Sequence, residues 1–413
     1  MGKGLKVLMI GGWRVGKSSA LAAVINAFTK APINTLLSVK DITQGASEPI
    51  ASKLMEIQSY LTNNYQKVIL VDSGITGAIN HYTLQLSIPG NRHKMEILFT
   101  DLNGEFYERG NNTQNQVSDM IKEYDVFIIA VDTPILMGAF DDTNPYVDDI
   151  VNEKFNYIDD IHNFLANINK KDDTSAKLVI FTPIKCEKWA KENKLDLVVA
   201  HTKQVYATAI AGIRAHRNIR IEFMPIQTVG SMVFKEHLPA SLFTYKKKTF
   251  LFFKKTIVEK GSVIKPDTIR LSNGQEMPLS EGLVDDDPLA VLILGTDIVR
   301  PNSWYYVCSK EYKPHNCEQI ALHILEFMLR KMIDARIREE NSRGFLSRGV
   351  RAIANFALNV VTLSLWSDIR DYLGDIPMYM MESIVNSMKA QGIIKYSGEG
   401  IEVYKDVELL TKS

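Results

Sequence analysis

Gly11-Gly12-Trp13-Arg14-Val15-Gly16-Lys17-Ser18 is the stretch on which the reading of this chain turns. The octapeptide fits G-x-x-x-x-G-K-[ST]; an apolar run over residues 5–10 precedes it and SALAAVINAF at residues 19–28 follows it. The run reads as a buried strand and the decapeptide as a helix, which is the setting a phosphate-binding loop requires. Glycines there let the backbone curl until its N–H groups face a polyphosphate at the positive end of the helix dipole. Lys17 is expected to neutralise β- and γ-phosphates, and Ser18 to offer its hydroxyl to Mg2+. A glycine-rich turn that matches by chance is the alternative, and the flanking strand and helix weigh against it.

The 413-residue chain carries 48 Lys+Arg and 48 Asp+Glu, so no overall field draws it toward nucleic acid or an acidic membrane. Its length allows two or three domains with well-filled cores. Cys186, Cys308 and Cys317 stand at no zinc-ligand spacing. A reducing, cytoplasmic setting without disulfides is therefore expected. The chain enters a strand almost at once, so no signal peptide is expected, and Lys6 occupies the place where a myristoylation signal has Ser or Thr.

Downstream, apolar spacing predicts a helix over residues 48–64, a short apolar run at 68–71 and a flexible segment at 73–77. Alternating strands at 82–88 and 94–100, joined by Pro89-Gly90-Asn91, read as an antiparallel hairpin. It ends in Asp101-Leu102-Asn103-Gly104-Glu105. A D-x-x-G after a hairpin, about 85 residues beyond a phosphate loop, suits Asp101 to holding Mg2+ through water and the Gly104 amide to sensing a γ-phosphate. An ordinary acidic turn is the plainer reading. Strands at 124–132, 178–181 and 219–224 then alternate with helices at 151–168 and 202–216. That alternation predicts an α/β fold with a mostly parallel sheet, one antiparallel hairpin strand, and ligand at the strands' carboxyl ends.

In this order of motifs the chain resembles a Ras-like P-loop GTPase of the translation-factor-related class. The likeness covers about residues 1–230 plus the helix near 316–338. DLNGE, the long insertions and YKPHNCEQ are most similar to bacterial double-GTPase proteins of conflict systems. The resemblance implies GTP/GDP and Mg2+ as ligands, with Gly11, Arg14, Val15, Gly16, Lys17, Ser18 and Ser19 around the phosphates. It implies a switch threonine before the hairpin, closing on Mg2+ and the γ-phosphate. Thr76, six residues before Tyr82, matches that placement, with Thr43 as competitor. Ser18, Thr76 and Asp101 are then the metal residues. Glu105 stands where many members place a water-orienting Gln. The base-recognition signature [NT]-K-x-D corresponds to Ile184-Lys185-Cys186-Glu187, in which Lys185 and Glu187 keep both chemical roles and Ile184 departs from the pattern. Thr228 falls in the final loop, whose amides approach guanine O6. Arg14 matches the G-x-x-R-x-G-K-S of guanylate-binding proteins, where that Arg acts as an internal arginine finger.

Residues 231 to about 305 leave the pattern, and their β-prone runs at 249–253, 257–258 and 289–294 read as a β-rich insertion. Its basic and aromatic stretch at 245–255 reads as a charged hairpin rather than a nucleic-acid or membrane signal. A helix over 316–337 is expected to close the sheet, followed by a linker at 339–351. The apolar stretch at 352–366 is too short and too interrupted to span a bilayer. A helix at 378–391 and a hairpin at 393–404 suggest a winged-like shape. The expected domains are a nucleotide-binding domain at 1–340 and a small, mostly helical module at 341–413.

The function so implied is a Mg2+-dependent GTP-binding molecular switch that hydrolyses GTP. Its partners would be a guanine nucleotide and either a protein effector or a second copy meeting it through the nucleotide domain. A non-hydrolysing nucleotide-binding scaffold and an ATP-using P-loop protein stay open beside it.

Overall fold

The structure, a computed structural model, describes residues 4–12, 15–30, 33, 37–43, 50–70, 79–87, 94–102, 123–138, 151–153, 155–166, 168, 176–214, 218–237, 303–342, 378–390 and 394. Between 238 and 302 it describes 245–246, 255–256, 268–270, 276–278, 293–294 and 297–298. In chain order the first half runs β1 (Leu5–Gly11), α1 (Lys17–Phe28), β2 (Ser38–Asp41), α2 (Ile50–Asn63), β3 (Val68–Leu70), β4 (Asn80–Ser87), β5 (Lys94–Asp101), β6 (Val126–Asp132), α3 (Thr133–Leu136) and α4 (Ile158–Ala166). The second half begins β7 (Lys177–Ile184), α5 (Glu187–Lys191), α6 (Leu195–Val205), α7 (Ala207–Arg214), β8 (Ile219–Phe223) and β9 (Met232–His237). Short strands β10 to β15 follow as three antiparallel pairs, Tyr245–Lys246 with Lys255–Thr256, Thr268–Arg270 with Glu276–Pro278, and Ile293–Leu294 with Asp297–Ile298. The chain then gives β16 (Ser303–Val307), α8 (Cys317–Ser342) and α9 (Met378–Ala390).

Alternation along β1 sets the layers. Leu5, Val7 and Met9 belong to the core on one face of the sheet, and Leu8 and Ile10 to the core on the other. A strand buried on both faces must be apolar at nearly every position, which is why β1, β6 and β7 read as continuous runs. Seven strands join in the order β2–β4–β5–β1–β6–β7–β8. β5, β1, β6, β7 and β8 are parallel, whereas β4 pairs antiparallel with both β5 and β2. The protein is thus α/β, with a mostly parallel sheet and one antiparallel hairpin, as the sequence implies. β2 adds a polar outer strand whose Ser38, Lys40 and Asp41 are exposed, a composition that discourages further pairing at the edge.

Helices α1 and α8 cover one face, where Leu21, Val24 and Phe28 meet Ile320, Leu325 and Met328. α4, α6 and α7 cover the other, through Phe164, Val198, Ile210 and Ile213. Arg220 on β8 is buried against α8, with Nη1 3.0 Å from Glu326 Oε2 and Nη2 3.1 Å from His323 Nδ1. A second, three-stranded antiparallel sheet, β3–β16–β9, lies on the second face, where Phe234 stacks on Trp189 at 5.8 Å and meets Tyr305 edge-on.

The structure corrects several element boundaries. The helix expected over 151–168 breaks at Tyr157, whose φ is 52°. Asn156 fixes the break: its Oδ1 accepts the Asp132 amide at 2.8 Å, and its carbonyl accepts the Tyr206 hydroxyl at 2.7 Å. The helix expected over 202–216 is two helices that meet at Tyr206. α8 continues to Ser342, through the residues expected to start a linker. Met381, Val385 and Met388 of α9 enter the same core as α1 and α8. The described residues between 245 and 298 all lie in antiparallel pairs, in keeping with a β-rich insertion. The segments at 73–77, 249–253, 257–258 and 352–366 and the hairpin at 393–404, apart from Ile394, lie outside the described residues. Among the described residues, no helix is long and apolar enough to cross a membrane.

Candidate functional site

β1 delivers the phosphate loop at its carboxyl end. Gly12 is required there by close approach: a Cβ on it would lie 2.2 Å from the Phe155 carbonyl oxygen and 2.7 Å from the Tyr157 ring. Gly16, at φ 102° and ψ 28°, takes the left-handed conformation that turns the chain into α1, and no side chain caps the helix. The first turn of α1 itself carries no acidic residue, so its positive end is not offset from within the helix. Lys17 folds back over the loop, its Nζ donating to the Gly11 and Gly12 carbonyls at 3.0 and 2.9 Å. Val15 is fully buried and anchors the loop in the core, while Ser19 is half-buried.

Parallel pairing of β1 with β5 sets Asp101 opposite Met9 and so brings it to the loop. Ser18 Oγ donates to Asp101 Oδ2 at 2.5 Å, whereas Asp101 Oδ1 is buried and has no hydrogen-bond partner among the described residues. Burial raises the Asp101 carboxyl above the usual carboxylate range, against the Ser18 hydrogen bond and the positive charges of Lys17 and Lys53. These donors fit a hard divalent cation: a hydroxyl and a carboxylate, with a buried oxygen lacking a partner. Thr43, the competitor to Thr76, is tied into the sheet edge. Its hydroxyl donates to Asp41 Oδ1 at 2.5 Å and accepts the Thr83 amide at 3.1 Å.

The base end is assembled from the ends of β6, β7 and β8. Lys185 has φ 61°, and its Nζ lies 3.0 Å from Asp132 Oδ2. Its stem passes over the phosphate loop, so that a Cβ on Gly16 would lie 3.4 Å from Lys185 Cε and 3.6 Å from Ile184 Cδ1. Ile184 therefore supplies an apolar contact to the loop where the related pattern has Asn or Thr. Glu187 opens α5 and is buried; its Oε1 accepts the amides of Val229 at 2.9 Å and Gly230 at 3.0 Å. Burial pushes its carboxyl up, and those two amides pull it back down. Thr228 Oγ1 accepts the Lys185 amide at 3.1 Å and so joins the two base-end loops.

Gly11, Val15, Gly16, Lys17, Ser18, Ser19 and Asp101 thus gather at the end expected to meet phosphates, and Lys185, Glu187 and Thr228 at the end expected to meet a base. Trp13, Arg14, Thr76, Gly104 and Glu105 lie outside the described residues. Sequence reasoning gave no role to Asp132, although an acid closing an apolar strand was the signal for it. It also missed Lys53 on α2, whose positive charge acts on Asp101.

No protein-family model matches the sequence, and no curated protein matches it. Among solved structures, the chain is similar to one described as a signal recognition particle receptor SRb-GTP/SRX complex from Chaetomium thermophilum. The likeness covers 56% of this chain and 93% of that chain, at 12% identity and a TM-score of 0.31.

Proposed function

We propose that the chain is a GTP-binding switch that hydrolyses GTP to GDP and phosphate with Mg2+, and so controls a protein partner or its own assembly. The observation that carries this reading is the Ser18–Asp101 pair, with its unpartnered carboxylate oxygen, beside the uncapped start of α1 and the buried Lys17. The amides at the start of α1 receive the phosphates. Lys17 leaves the Gly11 and Gly12 carbonyls for the β- and γ-oxygens, exchanging one set of acceptors for a charged one. Ser18 and Asp101 hold the cation, which when bound offsets charge developing on the phosphate oxygens.

Thr76 and the Gly104 amide are assigned to closing on the γ-phosphate, Glu105 to orienting water, and Arg14 to the charge of the transition state. Those four roles, and a setting in a bacterial conflict or defence system, rest on the sequence resemblance alone. A second reading, a P-loop protein with little base preference, is favoured by one observation: Glu187 already accepts two amides of its own protein.

The test is titration of a fluorescent GDP analogue, with GTP and ATP as competitors and with or without Mg2+, followed by single-turnover hydrolysis. Competition by GTP alone supports the switch. Equal competition by ATP sinks the base preference, and binding without turnover leaves a nucleotide-gated scaffold.

A further inference from the structure

Residues 308–316, between β16 and α8, lie along the loop that follows β8. Gln227 and His315 exchange both backbone hydrogen bonds, at 3.1 and 3.0 Å. The Lys313 amide donates to the Val229 carbonyl at 3.0 Å, and the Cys308 amide to the Ser231 carbonyl at 2.9 Å. Ser231 Oγ donates to the Glu311 carbonyl, and Asn316 Nδ2 to the Pro225 carbonyl at 2.8 Å. Residue after residue, the base-end loop has this strap along one side.

Val229 bonds in both directions. Its amide donates to Glu187 and its carbonyl accepts from Lys313, so a single residue joins the base-reading carboxylate to the strap. Gly230 permits the approach: at φ 77°, a Cβ on it would lie 1.7 Å from the Lys313 carbonyl oxygen. The strap is itself gripped from α2, where Gln58 donates to the Lys310 carbonyl at 2.5 Å and accepts the Tyr312 amide at 3.1 Å. Tyr312 carries a buried hydroxyl with no hydrogen-bond partner among the described residues. At its other end the strap continues from β16, which pairs with both β9 and β3. β9 and β16 are the two strands that lead into and out of residues 238–302.

We propose that residues 308–316 are a positioning strap for the base end of the nucleotide site, through which the 238–302 segment acts on nucleotide affinity. The proposal rests on the nucleotide-binding reading above. It makes Ser231, Gly230 and Gln58 positioning residues that touch neither phosphate nor cation. Freed from the strap, the Val229–Gly230 turn holds Glu187 less well, so base recognition weakens while phosphate recognition does not.

Calorimetric titration of the full chain with GDP and, separately, with inorganic tripolyphosphate reads the two ends independently. Ser231→Ala and Gln58→Ala are expected to weaken GDP binding about tenfold and leave tripolyphosphate binding within about twofold. Gly230→Ala is the stronger variant, and the other two carry the test if it fails to fold. Hydrogen exchange supplies the second readout: GDP is expected to slow exchange at the Lys313, His315 and β16 amides of the wild type. If the variants lose both ligands equally, or neither, the strap is only structural and the proposal falls. If GDP protects the start of α1 but leaves β16 unchanged, the link to 238–302 falls. Wild-type protein that binds neither ligand overturns the nucleotide reading itself, and the strap proposal with it.

Discussion

Around the glycine-rich loop, polar groups rest on backbone acceptors or lack a partner among the described residues. Lys17 sits on two carbonyls, the start of α1 has no cap, and one oxygen of Asp101 has no partner. Around the base loop, the protein binds its own groups: Glu187 accepts two amides, Thr228 accepts Lys185, and Lys185 pairs with Asp132. The first arrangement costs stability and is relieved by a ligand, whereas in the second Glu187, Thr228 and Lys185 hold partners before any ligand arrives. Phosphate and cation should therefore dominate the binding energy, and the base should add selectivity.

The largest expected effect is at Lys17. Lys17→Ala removes the cation of the loop, and nucleotide affinity is expected to fall by about 100-fold or more. It also removes two buried, charge-assisted hydrogen bonds to backbone carbonyls, so the fold is expected to lose about 3 kcal/mol. A fluorescent-GDP titration beside a thermal melt measures both. Near-normal affinity in this variant would move the dominant contribution to the base end and break the comparison.

Asp101→Asn sharpens it. The raised carboxyl of Asp101 means that the folded state holds the proton more tightly than the unfolded chain. Its contribution favours folding below the unfolded value and is lost as pH rises through the folded one, so above the folded value the bare carboxylate is a cost. The Asn variant is expected to melt at the same temperature or a few degrees higher without Mg2+, and to lose the Mg2+-dependent gain in nucleotide affinity. In the wild type, Mg2+ affinity should fall as pH drops toward the raised value, because the proton competes for the same oxygens. A variant that melts well below wild type at neutral pH would make Asp101 a structural residue.

The same contrast explains what was legible in the sequence. The phosphate end is local: Gly16, Lys17 and Ser18 are consecutive, and Asp101 follows from the length of one hairpin. The sheet was legible because burial on both faces leaves continuous apolar runs. The base end depends on partners far apart in the chain. Nothing in Tyr157 announces a left-handed residue, since a bulky side chain disfavours it. Nor does any local pattern say that 68–70, 232–237 and 303–307 form one sheet, because their pairing is set by Trp189, Phe234 and Tyr305 packing together. Ile184 departs from the expected residue type at the place where it packs on the phosphate loop. Only the fold shows that the departure is a contact.

The smallest effect is the most discriminating. Glu187→Gln keeps an oxygen able to accept the Val229 and Gly230 amides, so the loop should hold its shape, but it removes the negative charge. If Glu187 reads guanine, the ratio of GDP to ADP affinity should fall roughly fivefold to tenfold, with the melting temperature nearly unchanged. The pH dependence follows from the same residue. Its carboxyl lies above the usual range because burial outweighs the two amides, so the carboxylate is lost as pH falls through that raised value. Wild-type selectivity for guanine should then decline on acidification, whereas the Gln variant should show a low and flat ratio across the same range. Equal ratios in both proteins at every pH would mean that Glu187 only closes the Val229–Gly230 turn. The base end would then be a structural latch, and base choice would have to come from Lys185 and the backbone of Thr228.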